Sequence, residues 1–226
     1  MDIYWSLDHR QAIGALRVGE IEPVLKNKPV AEYRKCPAFR DYFHNVYGWK
    51  SLYTYSLRRD GDSFKSDLYD QDFFDRFFWI RSVDDQLLSF QQGVSFITDS
   101  SSLKLSIEHP YFEDSKFTSS CYTIPGTLDI GRYYRRLDFA FHIKKDHDTF
   151  AVDEGDILFY LRFHTEEKIN FKQYYMTDKL REYQAMITDV KWFVVPPTRP
   201  LKYFYQLYEK SNLRTRILKE IKRNLV

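Results

Sequence analysis

Two stretches, "RLDFAFHI" (136–143) and "DILFYLRFH" (156–164), constrain this chain more than anything else in it. In the first, Leu137, Phe139, Phe141 and Ile143 recur at every second position. In the second, Ile157, Phe159, Leu161 and Phe163 do the same. A pleated strand sends successive side chains to opposite faces, so alternation of this length specifies strands with one buried face. "KKDHDT" and "DEGD", which follow and precede these runs, predict hairpin turns.

Shorter segments extend the pattern. In "LYTYSLRR" Tyr53, Tyr55 and Leu57 share a face, and Asp60-Gly61 then predicts a hairpin turn. "GVSFIT" (93–98) and "LKLSIEH" (103–109) predict two strands, with Leu103, Leu105 and Ile107 facing one way and "DSSS" supplying turn chemistry between them. "FFDRFFWIRSV" (73–83) fits a short helix or a buried strand, and its aromatics favour a strand near 77–83. Residues 1–50 are cut by Pro23, Pro29 and Pro37, which predicts an irregular arm packed on the core, with a short helix near 39–46.

After Phe171 the period becomes helical. Thr177 is placed to cap a helix striped by Leu180, Tyr183, Ile187 and Val190, which "VVPPTRP" then breaks. Leu213, Ile217, Ile221 and Leu225 repeat at four in a last, basic helix. The expected fold is mainly β, a β-sandwich or partly open barrel with β-clip-like geometry and one or two C-terminal α-helices. The β-rich core spans 51–175 and the helical segment 176–226.

Composition narrows the chemistry. Among 226 residues, 19 Phe and 18 Tyr suit an aromatic β core, and display of some of them for base or sugar stacking stays open. A net charge of +2 gives no global field for nucleic acid. Cys36 and Cys121 lie far apart, and no Cys/His cluster suggests a metal, so neither a metal nor a cofactor is expected. "MDIYWSLDHR" carries acids and lacks the apolar run of a signal peptide, and no stretch approaches the ~18 apolar residues of a membrane span.

Motif tests are mostly negative. Gly126 and Gly131 match the glycine spacing of a phosphate-binding loop, but Arg132 and Tyr133 stand where Lys and Ser/Thr are needed. Gly-x-Gly-x-x-Gly and Gly-x-Ser-x-Gly do not occur. His164-Thr165-Glu166 has no histidine after it, which removes the usual order of a two-His-one-carboxylate iron site.

Three groups of polar residues remain. Arg132, Arg135 and Arg136 would hold a phosphate or carboxylate, or else brace their own turn against Asp129 and Asp138. Alternation places His142 with Asp138, and His164 with Tyr160 and Arg162; if the two strands neighbour, these side chains share one polar face. The C-terminal helix would dock its apolar stripe on the core, insert into a partner, or present its basic face to nucleic acid.

"IPGTLDIGRYYRRLDFAF", with "HPYF" before it, "DEGDILFYLRF" after it and Cys36-Pro37-Ala38 upstream, resembles an uncharacterised protein family of tailed, marine myovirus-like bacteriophages. The likeness covers about residues 36–175 and departs at Tyr133-Tyr134 and Arg136-Leu137, where the family has Trp and Arg-Pro. It implies an origin and a fold unit, not a reaction. Pro125, Gly126, Asp129, Tyr134, Arg135 and Gly155 are also similar, more weakly, to the β-clip dUTPase and dCTP deaminase group. That similarity implies a deoxyribose site at Asp129 and Tyr134, although Arg136 replaces the family's glycine and the Gly-Arg-Ser-type phosphate motif is missing. The leading expectation is a non-enzymatic bacteriophage protein that binds or assembles through its β surface and C-terminal helix, in the host cytoplasm or the virion. The alternatives are a nucleotide-binding or nucleotide-hydrolysing β-clip enzyme and a phage protein that blocks a host protein.

Overall fold

The computed structural model describes residues 1–8, 21–26, 35–189 and 201–226. Its strands form three sheets, none of them closed into a barrel. The largest contains β1 (Asp2–Leu7), β6 (Phe78–Ser82), β7 (Leu87–Thr98), β9 (Cys121–Thr123), β11 (Arg136–Ile143) and β14 (Asn170–Gln173). Its order is β14-β1-β7-β11-β9, with β6 also paired to the long β7. The second contains β2 (Ile21–Pro23), β3 (Val46–Lys50), β8 (Lys104–Glu108), β10 (Gly126–Asp129) and β13 (Ile157–Phe163), in the order β10-β8-β13-β3-β2. A small third sheet, β12-β4-β5, is made by β4 (Tyr55–Asp60), β5 (Ser63–Ser66) and β12 (Thr149–Val152).

The two large sheets pack face to face. Phe139 of β11 stacks on Phe159 of β13 with ring centroids 3.6 Å apart, and Trp49 of β3 meets Trp5 of β1 edge-on at 6.5 Å. Phe141, Phe150 and Phe90 carry the same core into the third sheet. The alternation of 136–143 therefore buries the four side chains it predicts. The second run departs at one point: Phe159, Leu161 and Phe163 face the core, but a register shift between Ile157 and Phe159 turns Ile157 outward. There it lies over Gly48, where an added Cβ would meet the Ile157 Cδ1 at 2.7 Å.

The predicted hairpins around these strands are not hairpins. β11 pairs with β7 and β9, whereas β13 pairs with β3 and β8. "KKDHDT" sends the chain from β11 to β12 in the third sheet, and "DEGD" sends it on from β12 to β13. Alternation specifies which face is buried; it does not specify which strand lies alongside. The turn after Asp60 does close a hairpin, β4–β5, with Gly61 at φ 58°.

Residues 1–50 are more regular than their prolines suggest. β1 is an interior strand between β14 and β7, and β3 lies between β13 and β2. "DIYWSL" hides its alternation because both faces are buried: Ile3, Trp5 and Leu7 inward, Tyr4 against the helices. The predicted short helix is α1 (Pro37–Tyr42), starting two residues early with Pro37 in its first turn. The 73–83 segment resolves into both options, α2 (Gln71–Phe77) running directly into β6. A five-residue helix, α3 (Lys116–Ser120), is closed by a capping box between Ser115 and Thr118.

The C-terminal helices cover part of the outer face of the six-stranded sheet. They are α4 (Asp178–Asp189), α5 (Leu201–Lys210) and α6 (Leu213–Arg223). Thr177 Oγ1 accepts the Leu180 N–H at 3.2 Å, as the predicted cap requires. Leu180 and Ile187 from α4, Tyr208 from α5, and Ile217, Leu218 and Ile221 from α6 bury against Tyr4, Ile97, Tyr133, Tyr134 and Tyr174. The last helix docks by its apolar stripe. Its fourth predicted member, Leu225, lies beyond the helix end and is exposed. Val190 and the "VVPPTRP" break lie outside the described residues, as do Pro29 and Val30.

Candidate functional site

The stretch around Asp129 is built as a brace. β9 ends in one sheet and β10 begins in the other, with Ile124 and Pro125 as the crossing. The Pro-Gly pair is thus not a tight turn, and Gly126 opens β10 without positive φ and with nothing within 4 Å of an added Cβ. At Gly131 an added Cβ would lie 2.3 Å from the Ser100 carbonyl oxygen and 2.7 Å from the Ser102 nitrogen, so this glycine is needed for close approach of two backbone segments.

Asp129, 8% exposed, turns its carboxylate back on the chain: Oδ1 accepts the N–H groups of Gly131 at 3.2 Å and Arg132 at 3.1 Å. Burial raises its pKa, while the Arg132 guanidinium and these two N–H groups oppose the rise. Its own N–H donates to the Tyr205 hydroxyl at 2.9 Å.

The arginines are occupied nearby. Arg132 Nε lies 3.6 Å from Asp129 and 3.1 Å from Glu209, and it donates to the Ser101 carbonyl at 3.0 Å. Arg135 and Arg136 approach Asp138 at 3.9 and 3.6 Å. Of the two uses open to the cluster, this geometry is that of bracing. Tyr134 is completely buried, its hydroxyl 3.0 Å from that of Tyr174, and burial pushes its pKa well up.

Arg214 on α6 locks this region, and sequence reasoning missed it. Its guanidinium donates to the carbonyls of Gly131 at 2.6 Å, Thr98 at 3.1 Å, Asp99 at 2.6 Å and Ser100 at 3.1 Å. In sequence it is one cation among several on a basic helix. Only packing of the helix against two distant loops brings four carbonyls to it.

The histidines and Arg162 do not share one polar face. Asp138 and His142 lie on the outer side of the six-stranded sheet, where His142 pairs with Leu87 and Tyr122. Tyr160, Arg162 and His164 lie on the outer side of the five-stranded sheet, across the core. The condition for a shared face was adjacency of the strands, and they sit in opposite layers.

On that second face, Arg162 makes a bidentate pair with Glu108 at 2.6 and 3.0 Å and stacks over the Tyr42 ring at 4.2 Å. The Glu108 carboxylate raises its pKa further. His164 Nε2 is 2.7 Å from the Ser106 hydroxyl, which is 2.8 Å from that of Thr127. Burial, then the nearby Arg162, lowers the His164 pKa, so the imidazole is neutral near pH 7.

Around this face the structure assembles a surface that no motif announced. Phe43, Val46 and Tyr160 make an outer apolar cluster, capped by α1 and by the segment after β8. Above it stand Tyr42, Tyr111 and Phe112, which are 50%, 45% and 38% exposed yet held ring to ring: Tyr42–Tyr111 at 6.4 Å and Tyr111–Phe112 at 5.7 Å. Phe39 braces Phe112 from below at 5.5 Å.

Beside this ridge opens a cleft of about 300 Å³. Val24 and Ile157 belong to the same apolar cluster and line it, and among the described residues its charged members are Glu22, Glu113, Asp114, Asp156 and Lys50. Lys50 pairs with Glu22 at 3.3 Å, and Glu113 accepts the Tyr160 hydroxyl at 2.8 Å. The available sequence signal was "HPYFED", an aromatic pair followed by two acids, but its partners Tyr42 and Glu22 are far away in the chain.

Among the described residues no group of three or more His, Cys, Asp or Glu side chains is placed to hold a metal ion. No helix of the described residues is long and apolar enough to cross a membrane. No family model, no curated protein and no solved structure matches this chain.

Proposed function

We propose that this protein is a non-enzymatic binding and assembly protein, and that it engages a protein partner through the outer face of its five-stranded sheet. The observation that carries this reading is the ridge of Tyr42, Tyr111 and Phe112 beside the acidic cleft. Large aromatics cost apolar area when left in water, and aromatic anchors beside charged rims characterise recognition surfaces. The ridge is held in place by ring contacts and by Arg162, so little ordering entropy is lost on binding. The Asp129 carboxylate and the Tyr134 hydroxyl are engaged by groups of the chain itself, which supports the binding reading over the nucleotide alternative. The resemblance to tailed-phage proteins supports a setting in infected bacteria, either in the host cytoplasm or in the virion, with a phage or a host protein as the partner.

The test is comparative capture. Immobilised wild type and a Tyr42→Ser/Tyr111→Ser/Phe112→Ser variant are exposed to extract of infected cells. The reading expects a protein retained by wild type, lost by the ridge variant, and kept by a Tyr122→Ser control at an equally exposed tyrosine on the other face. Identical capture profiles for all three would overturn it.

A further inference from the structure

The two outer faces of the sandwich carry opposite chemistry. On the α6 side, Arg216, Lys219 and Arg223 recur at spacings of three and four, which places them on one exposed stripe opposite the buried Ile217 and Ile221. These three make no ion pair among the described residues, whereas Lys222 is held by Asp99 at 2.9 Å and Lys179 by Glu220 at 3.5 Å. Exposed Tyr175 and Leu225 flank the end of this stripe, tied together by the Tyr174–Leu225 bridge and by the Tyr175 N–H bond to the Asn224 carbonyl. This face thus offers three cations with an apolar edge.

Across the core, the ridge and cleft offer the complement. Among the described residues, Glu22, Glu113, Asp114 and Asp156 line the cleft together with Lys50, and three exposed aromatic rings stand beside it. Guanidinium and ammonium groups pair with carboxylates and lie favourably over Tyr and Phe faces. Arg162 on Tyr42 already displays that second contact within the chain.

We infer that the occupant of the ridge and cleft is a second copy of this chain, docked through the basic stripe of α6 and the Tyr175–Leu225 edge. The inference rests on the binding role proposed above for the ridge. The two surfaces lie on opposite sides of one molecule, so the contact is head-to-tail. Each copy that docks presents a fresh ridge or a fresh stripe, and the product is an open stack or a ring, not a closed two-fold dimer. Complementary charges also speed encounter and make it salt-sensitive.

The experiment is sedimentation velocity on the full chain across a concentration series, at ionic strengths where the Debye length is about 30 Å and about 8 Å. Two variants are compared with wild type: Arg216→Glu/Lys219→Glu/Arg223→Glu, which breaks the stripe, and Tyr111→Ser/Phe112→Ser, which breaks the ridge. All substituted residues are exposed, and matching thermal melts verify that both variants fold.

Wild type is expected to form species beyond the dimer at low salt, suppressed at high salt. Each variant alone is expected to associate at least about tenfold more weakly. An equimolar mixture of the two is expected to recover dimers and nothing larger, because one copy keeps a stripe and the other keeps a ridge. A wild type that stays monomeric throughout, variants that associate like wild type, or a mixture that recovers no dimer would each overturn the inference. If wild type is monomeric but the ridge variant still loses a partner in the capture experiment, the head-to-tail contact fails and the binding reading stands. If ridge substitution changes neither measurement, both fail.

Discussion

Gly126 and Gly131 stand five residues apart and look alike in sequence, yet replacement by alanine should have opposite effects. At Gly131 the new Cβ would meet three backbone atoms: Ser100 O at 2.3 Å, Ser102 N at 2.7 Å and Leu103 N at 2.9 Å, all inside the 3.0 Å that Cβ atoms essentially never breach. None of these atoms is the far end of a flexible side chain. The Ser100 carbonyl also accepts from Arg214, the Leu103 carbonyl accepts the Ile130 N–H at 2.9 Å, and the Ser101 carbonyl holds Arg132. Relief of the overlap would therefore pull apart bonds that join α6, the 98–103 loop and the 129–133 turn. Overpacking a rigid site costs about 1–3 kcal/mol, and the loss of bonded backbone geometry puts Gly131→Ala at or above the top of that range, about 3 kcal/mol. For a chain of this size that corresponds to a fall in Tm of about 6–12 °C. At Gly126 nothing lies within 4 Å and φ is ordinary, so Gly126→Ala should be neutral or stabilising by up to about 1 kcal/mol through the unfolded state. Urea unfolding of both variants, read by tryptophan fluorescence and circular dichroism, gives the two values. A Gly131→Ala protein within about 1 kcal/mol of wild type would refute the close-approach reasoning.

Burial, then Lys144, lowers the His109 pKa from 6.5, and its Nδ1 accepts the Thr123 N–H at 3.2 Å, a bond that only the unprotonated nitrogen can make. Below the ordinary value the unfolded chain takes up a proton that the folded chain resists. Stability is therefore full above that value and falls as pH drops through the folded pKa, with His164 adding in the same sense; His109→Asn should flatten part of the loss that sets in below about pH 6.5 in a urea-midpoint titration. Cys121 is fully buried and its thiol is pushed up to about 12, whereas Cys36 is exposed, so a thiol reagent should modify one cysteine in the native protein and two after denaturation. Phe159→Ala removes the ring stacked on Phe139 and Trp49 and should cost about 3–5 kcal/mol in chemical denaturation. Arg214→Met keeps the length of the side chain but leaves four carbonyls without their donor, for a loss of about 2–4 kcal/mol by the same assay, of which Arg214→Lys should restore part.

Much of the fold was legible because the pleat imposes a period of two. Leu137, Phe139, Phe141, Ile143, Phe159, Leu161 and Phe163 announce their faces without reference to any other part of the chain. The Thr177 cap and the apolar stripe of α6 are legible for the same reason: capping and helical spacing are local. β1 was not legible, because a strand buried on both faces loses its polar alternation.

Sequence alone thus determined, with Ile157 the exception, which side chains of the central strands turn inward and that the last helix has a face to bury, since both follow from backbone geometry within a few residues. Only tertiary structure decided that β11 and β13 oppose each other across a core instead of pairing, which sends His142 and His164 to opposite surfaces. Only tertiary structure set Tyr42, separated from it by much of the chain, beside Tyr111 and Phe112, and Glu22 beside Asp156. The reason is physical: strand pairing and loop docking are chosen by contacts between distant segments, and no period within a segment encodes its neighbour.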